Sequence, residues 1–235
     1  GLSIFHTTFN IINVLLLVGF VPLISKVVIK MQPSKGELDE EFHLEHIGTG
    51  LMSTTELSIV EANKEVVKFG ERVQKLFSFM PALLEETNSK KIQDKLSRIK
   101  KYEDITDRME VEIADYLAKA SQGELSDSAS IKVRSMISII NDMERIGDIC
   151  YQMSIEISRK KEQNVNFLPE MKIQLDDMIG AVNDTLNIMQ KNLKTNYSQV
   201  TIDKADRLEI TVNTMRNKIR KNYLQRVEKG EVKIQ

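Results

Sequence analysis

Apolar positions along this chain follow two patterns. From Leu2 to Ser25 no Asp, Glu, Lys or Arg occurs, and the stretch from Ile11 to Ile24 is nearly continuous hydrocarbon. At about 1.5 Å per residue, a helix of roughly twenty such residues spans a bilayer core. Beyond residue 50 apolar side chains recur every three, four and seven positions, as in helices with one buried face. The spacing predicts helices from about Ser53 to Phe79, Lys90 to Lys119, Asp127 to Lys160, Pro169 to Leu193 and Val200 to Arg226. Their expected core positions are Ile59, Val66, Val73 and Met80; Ile92, Leu96, Ile99, Met109, Ile113 and Leu117; and Val133, Ile137, Ile140, Cys150 and Ile157. Leu175, Val182, Leu186 and Met189, then Leu208, Val212, Met215 and Ile219, continue the pattern.

The breakers place the joints. Pro33, Gly36 and the acidic stretch from Glu37 to Glu41 read as a polar linker, Ser121 to Ser126 as a turn, and Pro81 and Pro169 as later joints. After Pro169 two helices follow in the earlier order, as an internal repeat of a three-helix unit would. The third helix of that repeat is missing before Gln235. Five long helices would leave an apolar stripe uncovered, so either the chain lacks a segment or a partner fills the gap. The expected organisation is therefore the end of a membrane domain over 1–32, a linker over 33–50, and an all-α antiparallel bundle over 51–235. Its first repeat occupies about 51–162 and its shortened second repeat about 167–235.

The N-terminal run admits three readings. A signal peptide fits poorly, because no basic residue precedes the run and Lys26, Lys30 and Lys35 follow it. A buried helix of a soluble domain would accommodate Asn10, Asn13 and Pro22. A transmembrane helix fits the length and the flanking lysines, which place everything after about residue 30 in the cytoplasm by the positive-inside rule. The opening Gly-Leu-Ser lacks an initiator Met, so more membrane domain is expected upstream.

Composition narrows the class. The chain is 41% hydrophobic and 29% charged, with 10 Gly, 4 Pro and no Trp, which favours helices over a sandwich or barrel. A net charge of −1 provides no excess to recruit nucleic acid. The single cysteine, Cys150, excludes an intramolecular disulfide and reads as a packed thiol. Between Lys204 and Lys233 a basic excess reads most simply as a solvated face. No Gly-rich phosphate loop, nucleophile elbow or His-Glu-x-x-His motif occurs.

Candidate chemistry lies in carboxylates spaced four apart, one helical turn along a single face. The second helix carries Glu103 and Asp107, with Glu110 three residues on, and the third carries Glu144 and Asp148. Across antiparallel neighbours these oxygens can converge on a hard or borderline divalent cation. Gly147, between the two acids of the third helix, permits a close approach. The plainer alternative is a solvated face, with Arg108 and Arg145 as ion-pair partners. His43 and His46 in the linker read more simply as solvated than as ligands.

Met143-Glu-Arg-Ile-Gly-Asp148 resembles the Glu-Arg-Ile-Gly-Asp motif of the PhoU family, regulators of bacterial phosphate uptake built from two three-helix repeats. Tyr102-Glu-Asp-Ile-Thr-Asp-Arg-Met-Glu-Val-Glu-Ile113 resembles its companion acidic motif. The resemblance implies metal, commonly small iron or zinc clusters, with manganese a further candidate. It nominates Glu103, Asp107, Glu144 and Asp148 as ligands and Glu110 as a weaker one. In the second half Glu209 stands where Glu103 does and Asn213 where Asp107 does, so a second cluster is not expected.

Phe5-His-Thr-Thr-Phe-Asn10 before an apolar helix resembles a stretch near the end of the transmembrane region in bacterial type II sodium/phosphate cotransporters, many of which carry a PhoU-like domain after it. His6 and Asn10, one turn apart, would be transport-associated residues or helix-packing residues on that likeness. The joint implication is a non-enzymatic, regulatory, cytoplasmic PhoU-like domain of a cotransporter in the bacterial inner membrane. Its implied partners are the membrane, an upstream transporter domain, sodium and phosphate, with a homo-oligomer as a further expectation. Rival readings are a free-standing PhoU-like regulator and a carboxylate-bridged di-metal oxidase; the latter needs Glu-x-x-His pairs that the acidic helices lack.

Overall fold

The computed structural model describes residues 5–11, 14, 20–21, 44–47, 54–123, 125–163 and 168–230. Two units make up the chain, Gly1–Phe42 and His43–Gln235. In the first, residues 5–11 are helical, with Phe5 and Phe9 stacked at 6.2 Å and His6 and Asn10 exposed. No helix among the described residues is long and apolar enough to cross a membrane. Most of the apolar run predicted to do so, and the linker residues from Pro33 to Glu41, lie outside the described residues.

Five long helices build the second unit: α1 (Thr55–Glu85), α2 (Ser89–Ala120), α3 (Asp127–Glu162), α4 (Pro169–Lys194) and α5 (Asp203–Glu228). A 3-10 turn, Tyr197–Gln199, precedes α5, and no strand occurs among the described residues. The starts are fixed locally. Side chains of Thr54, Asn88 and Ser126 accept from backbone N–H groups of Leu57, Lys91 and Ala129, satisfying donors that have no partner in the first turn. Pro169 occupies the first turn of α4, where its missing N–H removes no helical bond.

Pro81 does not end the first helix, contrary to the sequence expectation. It lies inside α1, which continues to Glu85. Met80 and Leu83, on either side of it, are wholly buried, and burying those side chains offsets the lost backbone hydrogen bond. The end of the helix is held from α3: Lys161 Nζ donates to the carbonyl oxygens of Leu84 (2.8 Å) and Glu86. The fifth helix starts at Asp203 rather than near Val200, because the Tyr197–Gln199 turn completes the connection first.

Helices α1, α2 and α3 each pack against the other two, enclosing a core that includes Val66, Phe69, Val73, Leu76, Ile99, Ile113, Leu117 and Ile140. α4 lies on α1, and α5 lies on α4. Gly70 lies at the first of these contacts: a Cβ there would meet Gln190 Oε1 and, at 2.8 Å, Leu193 Cδ1, so the ends of both side chains would have to shift. The second hairpin is much less enclosed. Only Leu186 and Gln190 are buried on α4, and none of the residues of α5 is, as expected of an all-α bundle with a partly uncovered stripe.

Ahead of α1, residues 44–47 are tied to the bundle through a buried carboxylate. Glu65, 1% exposed on α1, accepts the backbone N–H groups of His46 and Ile47, the latter at 3.3 Å. Glu45 pairs with Lys68 at 3.2 Å. His43 lies outside the described residues.

Candidate metal centre

α2 and α3 cross where both carry small or branched polar residues. Thr106 is fully buried on α2, and its hydroxyl donates to the carbonyl of Glu103 at 2.7 Å. Opposite it stands Gly147 of α3: a Cβ there would meet Thr106 Oγ1 at 2.7 Å and Thr106 Cβ at 3.4 Å. Glycine therefore sets how closely the two helices approach. The flanking acids, Asp107 and Asp148, are brought together by the same crossing.

One oxygen each from Glu103, Asp107 and Asp148 lies within 4.8 Å of the others. Among the described residues no second group of three carboxylate, imidazole or thiol side chains converges in this way. Glu103 is 6% exposed, and Asp107 and Asp148 are half-buried. Glu144 stands one turn back on α3, beside Asp148 and within the electrostatic reach of Asp107 and Glu110, but outside the three-oxygen group. His6 and Asn10 belong to the other unit.

The electrostatics are those of negative charge held out of water. Burial raises the carboxyl of Glu103 above its ordinary range, against the pull of Lys100, and Asp107 raises it further. Burial also raises Asp107, with Asp148 adding to the effect. Glu144 is raised by burial and then by the charges of Asp148 and Asp107. Asp107 Oδ1 is buried without a hydrogen-bond partner, an arrangement that is costly for a carboxylate unless a cation or proton compensates it. Oxygen-only donors, repulsion between neighbours and an orphaned buried oxygen fit a divalent cation.

Two participants were not visible from the spacing of acids. Lys100 Nζ lies 2.5 Å from Glu103 Oε2 and 3.0 Å from Asp104 Oδ1, and 4.8 Å from the centre of the Tyr151 ring. Thr106 is the other; the available signal was its place beside the acids, opposite a glycine on the next helix. Arg108 pairs with Glu112 at 3.7 Å and Arg145 with Asp142 at 3.8 Å. In the second half, Glu209 Oε1 accepts from Asn213 Nδ2 at 3.5 Å. Cys150 is buried, with its thiol pushed up to about 12 by desolvation, as suits a packed and unreactive side chain.

Residues 66–157 match the model of the PhoU domain. The match covers the crossing of α2 and α3 and all five acids. The chain is also similar to proteins described as "putative inorganic phosphate export protein YjbB". The Salmonella typhimurium protein is 24% identical over 156 residues, covering 66% of this chain and 28% of that protein. The protein from Escherichia coli K12 is 24% identical over 159 residues, with the same coverage. The matched part thus spans 28% of the length of these relatives. No solved structure matches the chain.

Proposed function

We propose that the bundle is a non-enzymatic, metal-binding regulatory domain acting in phosphate transport across a bacterial inner membrane, in a sodium-coupled system. The observation that carries the metal part is the convergence of Glu103, Asp107 and Asp148, one of which also buries a carboxylate oxygen with no hydrogen-bond partner, inside the segment that matches the PhoU domain. The phosphate part is supported by the phosphate export proteins to which the chain is similar. Sodium coupling rests on the likeness of residues 5–10 to the cotransporter stretch, with His6 and Asn10 as its transport-associated residues.

In this reading Glu103, Asp107 and Asp148 are the first ligands, and Glu144 joins them by a change of rotamer. Glu110 is a weaker, outer contributor. An all-carboxylate donor set suits manganese or iron better than zinc, which favours nitrogen and sulfur donors at structural sites. A bound cation would neutralise the repulsion across α2 and α3, fix their crossing and define the surface presented to the transporter domain. The proposed site contains no nucleophile and base pair, and regulation requires none.

Phosphate flux tests the reading. Radiolabelled phosphate movement is measured in source cells carrying the parent gene or Asp107→Asn/Asp148→Asn, with and without a sodium gradient. The expected result is a changed dependence of flux on external phosphate at equal protein abundance, with flux dependent on sodium in both strains. Unchanged regulation in the double variant would remove the metal site from the function; flux indifferent to the gradient would remove sodium coupling.

A further inference from the structure

The acidic group already has a cation beside it. Lys100 approaches from one turn earlier on α2, placing its ammonium 2.5 Å from Glu103 Oε2 and 3.0 Å from Asp104 Oδ1. The two carboxylates differ sharply: Glu103 is 7% exposed at its side chain, while Asp104 is 59% exposed. Lys100 itself is 44% exposed at its side chain and lies over the Tyr151 ring. It thus straddles the boundary between the buried cluster and solvent, with one partner on each side. Its flexible four-carbon stem allows the ammonium to leave Glu103 without leaving Asp104.

We propose that Lys100 is a resident counter-cation that a metal ion must displace from Glu103, so that this lysine helps set the metal concentration at which the site fills. The inference rests on the metal-binding reading above. A divalent ion on Glu103, Asp107 and Asp148 and an ammonium on the same glutamate repel one another over a few ångströms in a partly desolvated site. The ammonium therefore swings to Asp104 and water when the ion enters. Before that exchange Lys100 offsets part of the repulsion among the acids, which keeps the metal-free crossing intact. Displacement raises the threshold for filling and discriminates against weakly held ions.

Calorimetric titration of the metal-free protein with Mn²⁺, and with Fe²⁺ or Zn²⁺ where the parent gives no heat with Mn²⁺, tests this, using the parent, Lys100→Met, Lys100→Arg and Lys91→Met. Lys91 is exposed on α2, about 18 Å along the helix from Glu103, so its substitution removes one positive charge without touching the cluster. Lys100→Met is expected to tighten binding about tenfold, from removal of one nearby positive charge. Lys100→Arg should stay close to the parent, because its charge is retained, and Lys91→Met should change little. Circular dichroism melting confirms that each variant is folded. Equal or weaker binding by Lys100→Met, with the parent binding normally, overturns the displacement role while leaving the metal site standing. A parent that binds no Mn²⁺, Fe²⁺ or Zn²⁺ overturns both readings.

Discussion

At Gly147 the missing side chain is a steric requirement. An added Cβ would lie 2.7 Å from the hydroxyl of the fully buried Thr106, and such overpacking costs about 1–3 kcal/mol. Gly147→Ala should lower the melting temperature by several degrees, read by calorimetry. In a Thr106→Ala background the same change should become neutral or stabilising, because alanine is then the better helix former by about 1 kcal/mol. The raised carboxyls make a second prediction. Glu103, Asp107 and Glu144 take up a proton more readily folded than unfolded. Their contribution to stability is fully present below the unfolded values, near 4, and is lost as pH rises through the raised folded values. The metal-free protein should therefore melt at a lower temperature at pH 7 than at pH 5, and Asp107→Asn should flatten that slope. Glu71, held low by Lys194, and Glu86, held low by the Asn88 backbone N–H, act oppositely; their contributions fade only below about pH 4.5. The acids and Gly147 were legible because spacing of four along one helix is written in the sequence. Lys100's dual pairing and Thr106's contact were not, since one depends on rotamer choice and the other on which residues meet across two helices.

Among the helices, the stripe of apolar residues gave most of the order and most of the first core. Ile59, Val66, Val73, Met80, Ile99, Ile113, Leu117 and Ile140 are all buried. Proline was the poorer guide: Pro169 starts α4, whereas Pro81 lies within α1. The difference is tertiary, because α1 continues with Leu83 buried and Lys161 holding its terminal carbonyls. Lys161→Met should destabilise the bundle by about 1 kcal/mol, the scale of a cation at a helix C-terminus, as measured by denaturant unfolding. The later stripe was also legible, but its burial was not: Leu175, Val182 and Met189 on α4, and Leu208, Val212, Met215 and Ile219 on α5, are half-buried. Periodicity says which face is apolar, and burial depends on what lies against it. Hydrogen exchange should therefore find α5 amides opening at lower free energy than those at the centres of α1, α2 and α3.

For the whole molecule, the three mutually packed helices supply a rigid base for the candidate site. The second hairpin lies on the α1 side, joined by the Gly70–Gln190 approach and by the pairing of Glu71 with Lys194 at 2.9 Å. Residues 46 and 47 are held to α1 by their backbone through the buried carboxylate of Glu65. A charged residue beside the apolar positions of α1 was the available sequence signal for this tie. The proposed role depends on whether the α2–α3 acids hold a cation. Elemental analysis of protein purified without chelator, for the parent and for Asp107→Asn/Asp148→Asn, tests this most directly. Stoichiometric manganese or iron is expected in the parent, and its loss in a double variant that keeps its helicity. Metal at background level in the parent, or equal metal in both proteins, would contradict that role.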